Sequence, residues 1–479
     1  MKQNLKKSVL LFPFILGVTG LLNSGMPVLD SLFQSFEMYF LNYVATPPNL
    51  LVEIARWTAP LATASGILLV LSRLKKSFRN YILFRRGNSI AVYGPQPHRQ
   101  ELLDGLAKRG IDAGDYGSDS TVVRAHDYLL LGDQAETIRF YTDNRRMLSG
   151  HTVYMQSELP AQSVSDAQLR LFCPEETTAR LYWKQIDTYQ ISVQNNHKLR
   201  IVFVGFGTLG QQLLNYALLD NIFNPDQAIE YHIFGDKSGR YAATHPELDK
   251  IGDPVIFHTG QWYENLNLLE EAALVLVCEQ TDQFKLVQNM LFALTVPVID
   301  VFTANGITFD LLEGKKRLRI FPWQQLAWEP ANIFSSSLFE QAMELNLHYA
   351  HLYSNITKTP ENRNAEWAKL DSFTRYSNVS AADYHDIRLN MMKHLGWPEN
   401  SEELDSEQLE FLSELEHIRW CRYHQLNNWK PGIPENGKAK DPARRIHRDL
   451  IPYADLTEAE KQKDRDNILL LLSFLHNNL

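Results

Sequence analysis

The feature that most constrains the fold of this chain is a glycine-rich turn between a short strand and a helix. Residues 199–204 read as a buried β-strand, and the sequence GFGTLG at 205–210 then opens a helical pattern. In such a turn Gly205 allows the tight bend, Gly207 admits the close approach of a pyrophosphate, and Gly210 lets the helix pack on the strand. The segment therefore predicts a parallel α/β sheet.

The residues after this turn continue the same pattern. A second strand at 229–234 ends at Gly235 and Asp236, and further strands are predicted at 274–278 and 296–301. The carboxylate of Asp236 is placed to accept hydrogen bonds from ribose hydroxyls. Residues 198–328 are therefore predicted to form a doubly wound, Rossmann-like domain. Its expected ligand is NAD or another adenine nucleotide in a regulatory role, and a fold kept only for its architecture is the alternative.

A second α/β unit precedes this domain, at 88–195. Its predicted strands alternate with helices and lie at 89–94, 127–133 and 152–155. This alternation indicates another parallel sheet. Its glycine turn is degenerate, because Gly94 is followed by Pro95 and Pro97, which lack the backbone N–H groups that a phosphate needs. We interpret this unit as a structural Rossmann-like domain that binds no dinucleotide.

The N-terminal region differs from the rest in its long uncharged stretches. Residues 8–29 carry no charge and are long enough to cross a bilayer as a helix, and a shorter uncharged run lies at 57–72. Lysines precede the first run and basic residues follow the second, which predicts cytoplasmic termini. The sequence thus predicts a membrane segment with a basic linker at 1–87, with helices at about 8–29 and 50–72, in the inner (plasma) membrane. A cleaved signal peptide is the rival interpretation of the first run.

The segment between these two runs, at 30–43, is aromatic-rich and has helical spacing. Two interpretations are open for it, a helix lying at a membrane interface and a helix lining a pore. No sequence like the Thr-Val-Gly-Tyr-Gly filter of potassium channels follows it. The sequence therefore does not predict potassium selectivity.

Composition argues against several classes of function. The net charge of −9 gives no basic field, so no nucleic-acid partner is expected. Cys173, Cys278 and Cys421 lie far apart without a CxxC or Cys/His cluster, so reduced thiols and no metal site are predicted. The later strands are not followed by an acid–base pair of the dehydrogenase kind. The chain is accordingly predicted not to be an enzyme, and no catalytic residue is assigned.

The two α/β units after a membrane segment resemble the regulatory RCK/TrkA-N domains of potassium channels and transporters. This resemblance covers roughly residues 89–321, and it rests on the organisation of the units and on the GFGTLG turn. In that family the units bind nucleotides or ions and move as a gating assembly. The resemblance therefore implies a ligand-regulated assembly.

The last region, 331–479, changes to helical periodicity and carries a set of motifs in a fixed order. The motifs are Leu415-Glu416-His417, Trp420, Trp429, Gly432, His447, Leu450, Pro452-Tyr453, Leu456 and Lys463-Asp464. This order resembles the RyR domain, the small helical repeat of ryanodine receptors that also occurs in prokaryotic proteins. The resemblance implies a mainly α-helical module for ligand or protein recognition.

Six residues of this helical region have the chemistry to hold a flat, anionic ligand. Aromatic faces stack on bases, and guanidinium groups chelate phosphate. The predicted ligand-binding residues are Arg419, Trp420, Trp429, Arg445, His447 and Tyr453. Trp420 also fits the apolar face of a helix, so a place in the core is the alternative for it.

Taken together, these features predict a ligand-gated membrane channel or pore-type effector, regulated by a nucleotide-like ligand at its RCK-like and RyR-like domains. Two helices cannot enclose a pore alone, so a homo-oligomer, a dimer or a tetramer, is expected in the lipid membrane. The alternative is a non-conducting, membrane-anchored nucleotide receptor that signals by protein contacts. A third hypothesis is a tethered NAD-dependent enzyme.

Overall fold

The computed structural model describes residues 2–42, 49–85, 87, 89–96, 98–117, 122–158, 168–295, 297–304, 308–334, 339–399, 403–435 and 437–477. The chain forms two compact units. The N-terminal unit comprises Met1–Ser89 and Val123–His126, and the main unit comprises Ile90–Val122 and Asp127–Leu479.

The N-terminal unit is helical in its described residues. Its helices are α1 (Lys2–Asn23), α2 (Val28–Glu37) and α3 (Leu50–Arg85), with a 3-10 turn at Met38–Phe40. A Cβ on Gly20 would lie 2.7 Å from a methyl group of Val52, so this glycine permits the close approach of α1 and α3. The aromatic-rich segment predicted at 30–43 falls on α2 and the 3-10 turn, and Tyr43 lies outside the described residues.

The predicted membrane helices require correction. In the part of the chain that the structure describes, no helix combines the length and the apolar character needed to cross a bilayer. The helix α1 ends at Asn23, inside the uncharged run, and Gly25 there has a φ of 84°. The helix α3 begins with an ion pair between Glu53 and Arg56 at 3.2 Å. The predictions of two spans at about 8–29 and 50–72, of membrane helices in the fold class and of an inner-membrane location are therefore wrong.

The main unit begins with a parallel sheet that has five strands among the described residues. Its elements are β1 (Ile90–Tyr93), α4 (His98–Lys108), β2 (Ala113–Gly117), β3 (Asp127–Leu130), α5 (Gln134–Leu148), β4 (Thr152–Gln156) and β5 (Leu169–Phe172). The strand order is β2-β1-β3-β4-β5, one of the two common doubly wound orders. A Cβ on Gly94 would lie 2.4 Å from the carbonyl oxygen of Leu131, so that glycine serves the packing of adjacent strand ends.

Two helices, α6 (Pro174–Gln185) and α7 (Thr188–Gln194), lead to a second parallel sheet. Its elements are β6 (Arg200–Val204), α8 (Thr208–Asp220), β7 (Glu230–Phe234), α9 (Ser238–Thr244), β8 (Val255–His258), α10 (Leu266–Glu270), β9 (Leu274–Val277), α11 (Gln283–Ala293), β10 (Val298–Phe302) and β11 (Leu318–Phe321). The order β11-β10-β9-β6-β7-β8 is that of the dinucleotide-binding fold, and the direction of winding reverses between β6 and β9. The prediction of tandem Rossmann-like domains is confirmed.

The rest of the main unit is mainly helical, as the sequence predicts. It consists of α12 (Trp323–Ala327), α13 (Pro330–Phe334), α14 (Glu340–Ser354), α15 (Pro360–Lys369), α16 (Ser372–Leu395), α17 (Ser406–Leu426), β12 (Lys430–Pro431), β13 (Lys440–Asp441), β14 (Ile446–His447) and α18 (Glu458–Asn477). One continuous hydrophobic core includes Leu213 of α8, Tyr384 of α16 and Leu415 of α17. The helical region and the second Rossmann domain are therefore packed as one body.

A buried carboxyl group at the end of α8 gives the fold a pH dependence. Both carboxyl oxygens of Asp220 are buried and have no hydrogen-bond partner among the described residues. Burial, reinforced by the nearby charge of Asp383, raises the pKa of Asp220 well above its usual range. The folded protein therefore holds a proton on Asp220 that the unfolded chain releases above about pH 4.

We expect Asp220→Asn to be more stable than the wild type at pH 8, and the difference in the free energy of unfolding to be larger at pH 8 than at pH 5. Above about pH 4 the unfolded state binds fewer protons at this position than the folded state does. The free energy of unfolding of the wild type therefore falls as the pH rises, and the asparagine side chain of the variant, which does not titrate, removes this fall. Urea unfolding of both proteins at pH 5 and pH 8 measures the effect. A difference between them that does not grow with pH would contradict the protonated state of Asp220.

Candidate nucleotide-binding site

The glycine turn (residues 205–210) joins β6 to α8, and two of its glycines are required by packing. Gly205 has a φ of 91°, and a Cβ there would lie 2.4 Å from the backbone nitrogen of Glu279. A Cβ on Gly210 would lie 2.7 Å from the carbonyl oxygen of Gly205. These contacts leave no room for larger residues, which agrees with the structural roles that the sequence predicts for the two glycines.

Gly207 differs from the other two glycines because its position faces open space. It is the N-cap of the 13-residue helix α8 and has a φ of −72°. A Cβ on Gly207 would meet no atom of the described residues within 4 Å, and no side chain caps the helix. The first-turn N–H groups of α8 thus have an unobstructed approach. Such a helix N-terminus attracts an anion through these donors and through the helix dipole.

The neighbouring strand ends form a rigid edge around the glycine turn. A Cβ on Gly235 would lie 2.6 Å from the backbone nitrogen of Phe206, which brings the end of β7 against the turn. Beyond β9, the side-chain amides of Gln280 and Gln283 donate to the carbonyl oxygen of Phe302 at 3.0 and 2.9 Å. These bonds tie the ends of β9 and β10 together. In open α/β sheets, ligands bind in the crevice at such a carboxyl edge.

Two acidic side chains flank this edge. Asp236 follows β7 and is exposed. Glu279 follows β9, and its carboxylate accepts hydrogen bonds from the backbone N–H groups of Gln280 and Thr281 at 3.0 and 2.9 Å. Glu279 is therefore held in its own turn, whereas Asp236 stands where a ribose hydroxyl would donate to it. The structure brings Gly205, Gly207, Gly210 and Asp236 to one edge of the second sheet.

The acid Asp300 lies beneath this edge in β10 and is occupied by protein contacts. Arg319 donates to its two carboxylate oxygens at 2.6 and 2.7 Å, and the Tyr182 hydroxyl donates at 2.5 Å. Burial and the charge of Asp300 raise the pKa of Tyr182 well above its usual range. This cluster links α6 to β10 and β11 at one side of the sheet and has a structural role.

The helical region brings together three of its six predicted ligand-binding residues. The ring of His447 lies 4.9 Å from Trp420 and 6.3 Å from Trp429, with His424 packed between the two tryptophans. Trp429 also stacks on Phe373, with ring centroids 5.2 Å apart. The rings of this cluster thus pack mainly against one another. Trp420 is half-buried in this ring cluster, so both interpretations of it, a ligand contact and a core position, stay predictions.

The other three predicted residues lie elsewhere. Arg419 is buried and donates to Glu416 at 2.7 Å. Arg445 is exposed in the left-handed conformation and donates to the carbonyl oxygen of Asn427. The Tyr453 hydroxyl donates to Glu410 at 2.9 Å. Arg419 is therefore withdrawn from any external ligand, because its guanidinium group belongs to an internal ion pair.

His417 and His424 belong to this cluster but are not among the ligand-binding residues predicted from the sequence; His417 appears there only in the motif order, and His424 not at all. Burial lowers the pKa of His417, but the hydrogen bond to Asp464 and the contact with Cys421 outweigh burial and raise the pKa to about 10. Its Nε2 lies 2.8 Å from the carbonyl oxygen of Ile451. Burial also lowers the pKa of His424 to about 3 and that of His447 to about 4. At pH 7 the imidazole of His417 is therefore charged, and those of His424 and His447 are neutral. Burial lowers the pKa of all three, and the partners of His417 reverse this effect for that residue alone.

Comparison with known proteins finds only distant structural neighbours. No family model and no curated protein matches the chain. Similar solved structures include a malic enzyme of Entamoeba histolytica, at 11% identity and a TM-score of 0.32 over 96% of this chain and 98% of that one. A D-lactate dehydrogenase of Treponema pallidum shows 9% identity and a TM-score of 0.21 over 65% and 98%. A protein of Thermus thermophilus shows 13% identity and a TM-score of 0.19 over 64% and 97%.

The comparisons affect two of the predictions made from the sequence. Two of the structural neighbours are enzymes, which contradicts the prediction that the chain is not an enzyme, although TM-scores below 0.5 assign no reaction to it. A missing acid–base motif is a weak basis for that prediction, because catalytic groups come from loops that only the fold brings together. The resemblance to RCK/TrkA-N and RyR domains finds no match among family models and stays a hypothesis.

Proposed function

We propose that this protein is a nucleotide receptor whose second Rossmann domain binds an adenine nucleotide, NAD in particular, at the glycine turn. The observation that supports this most is the open position of Gly207 at the uncapped N-terminus of α8. A pyrophosphate would lie against that backbone, and Asp236 would accept from the ribose. The membrane channel is not part of the proposal, because no described helix meets the requirements for a span.

The helical region is suited to respond to the bound nucleotide because it contacts the same domain. Arg422 of α17 donates to the carbonyl oxygen of Leu218 in α8 at 3.0 Å and to Asp253 at 2.7 Å. Asn428 donates to the carbonyl oxygen of Thr244 in α9 at 2.9 Å. The helices that follow the glycine turn and Asp236 are thus both bound to this region. The RyR-like motif order supports a recognition role for it, and assembly into a dimer or tetramer stays a prediction.

The proposal gives a specific expectation for nucleotide choice. A carboxylate at Asp236 accepts from the 2′-hydroxyl of NAD and repels the 2′-phosphate of NADP. We expect Asp236→Ala to weaken NAD binding by at least about tenfold, since a hydrogen bond to a charged group contributes about 1.5–3 kcal/mol. We also expect it to narrow the preference for NAD over NADP. Calorimetric titration of both nucleotides measures this.

Asp226→Asn is the matched control, because Asp226 is an exposed acid of the same domain outside the glycine turn. It should bind both nucleotides as the wild type does. If Asp236→Ala left the affinities for NAD and NADP unchanged, the ribose contact assigned to Asp236 would be refuted. The same contacts would hold NAD as a hydride carrier and NAD as a regulatory ligand. The titration therefore tests NAD binding in either role.

A further inference from the structure

A cavity of about 490 Å³ lies between the second Rossmann domain and the helical region, away from the glycine turn. Its aromatic lining residues are Tyr189, Phe223, Trp397 and Phe411. Tyr189 belongs to α7, Phe223 follows α8, and the other two come from the connection before α17 and from α17 itself. Its volume is within the range of small-molecule sites, about 300–1,000 Å³, which often form at such junctions.

The four rings form two edge-to-face pairs. Trp397 and Phe411 have centroids 5.6 Å apart and an interplanar angle of 83°, and Tyr189 and Phe223 have 5.4 Å and 68°. Tyr189 also contacts His394, whose Nε2 lies 2.7 Å from Asp187. The rings are therefore held by neighbours. Tyr189 and Phe223 are buried, whereas Trp397 and Phe411 are half-buried and keep part of their ring surface accessible, where a π-face attracts a cation.

The carboxylates that line the cavity are negatively charged, and the electrostatic potential at the faces of aromatic rings is also negative. Asp405 and Glu407 line the cavity together with the imidazole of His197, and its lining contains neither lysine nor arginine among the described residues. Asp405 is partly neutralised because it caps α17 and accepts from the N–H groups of Glu407 and Gln408 at 2.9 and 2.8 Å. The Glu407 side chain is exposed in the first turn of the helix. An anion would therefore be repelled, and a cation would be attracted by both the rings and Glu407.

We propose that this cavity binds a small organic cation, an alkylated ammonium group attached to an apolar body. Aromatic faces attract such a cation electrostatically, and a desolvated contact of this kind contributes on the order of 2 kcal/mol. The carboxylate of Glu407 adds a Coulombic attraction that salt weakens. This site is distinct from the glycine turn and does not depend on nucleotide binding.

The test is a calorimetric titration of the full-length protein with benzyltrimethylammonium and with choline. The uncharged isostere 3,3-dimethyl-1-butanol serves as the reference for choline, because it keeps the shape and lacks the charge. We expect one site per chain and at least roughly tenfold tighter binding of choline than of its isostere. Absence of heat with both cations, or equal binding of choline and the isostere, would overturn the proposal.

Two variants of lining residues, Glu407→Gln and Trp397→Leu, locate the binding, and Glu361→Gln is their control. Glu407→Gln should weaken cation binding severalfold, while Glu361→Gln, an exposed first-turn acid of α15, should leave it unchanged. Trp397→Leu should abolish most of it. Glu407→Gln is the decisive variant if the Trp397 variant does not fold, since Glu407 is exposed. Equal effects of the two glutamate variants would refute this cavity as the site. Gly207→Ala should retain cation binding, which separates failure here from failure of the nucleotide proposal.

Discussion

Gly207→Ala is expected to abolish most nucleotide binding while leaving the protein as stable as the wild type. The φ of −72° is accessible to alanine, and the added Cβ meets no described atom within 4 Å. Alanine is a poorer N-cap than glycine but lowers the entropy of the unfolded chain, so the free energy of unfolding should stay within about 1 kcal/mol. The methyl group occupies the space that a pyrophosphate needs, and we expect at least a tenfold loss of affinity, about 1.4 kcal/mol.

The comparison variant is Gly205→Ala. Its backbone is left-handed, and its Cβ would lie 2.4 Å from the backbone nitrogen of Glu279. The strained conformation alone costs about 1–3 kcal/mol, so this variant should lose stability as well as binding. Urea unfolding and nucleotide titration of both variants separate the two roles. A Gly207→Ala protein that binds NAD as tightly as the wild type would contradict the open-approach role of Gly207.

Glu416→Gln is expected to produce the largest loss of stability, about 3–5 kcal/mol. Glu416 is buried and accepts from Arg388 at 2.7 Å, from Arg419 at 2.7 Å and from Asn467 at 2.8 Å. Burial raises the pKa of Glu416, but the two guanidinium groups outweigh it and hold the pKa below its usual range. Removal of the charge leaves two buried arginines without their counter-ion. The midpoint of urea unfolding measures the effect.

The matched control for that variant is Glu414→Gln, on the same helix and only partly buried. It should change the free energy of unfolding by less than about 0.5 kcal/mol. Glu416 also makes the stability depend on pH. Because its folded pKa is depressed, its contribution is present above the unfolded pKa of about 4.3 and is lost as the pH falls through the folded value. A Glu416→Gln protein as stable as Glu414→Gln at pH 7 would refute this account of the core.

The sequence predicts the second sheet well because its information is local. The GFGTLG turn, the strand before it and the acid after β7 each follow from residues that are close in the chain. The same holds for Gly94, where the two prolines predict a turn unsuited to phosphate. The structure adds the reason that glycine is needed there, the 2.4 Å approach to the carbonyl oxygen of Leu131.

The sequence misleads where the partner of a side chain is distant in the chain. An arginine beside tryptophan suits phosphate, which favours a ligand role for Arg419, but this residue lies on the buried side of α17 against Glu416. The i,i+3 pair is visible in the sequence, whereas Arg388, 28 residues away from Glu416, is not. The membrane prediction is wrong for a related reason. An uncharged run does not show where a helix ends. The predicted span continues to residue 29, whereas α1 ends at Asn23.

The most direct measurement of the central claim is calorimetric titration of NAD, NADP and ATP into the purified full-length protein, beside Gly207→Ala. The proposal predicts one NAD site per chain, a preference for NAD over NADP, and loss of that site in a Gly207→Ala protein that unfolds at the wild-type urea concentration. No binding of any of the three nucleotides, or equal NAD binding by the wild type and the variant, would contradict it.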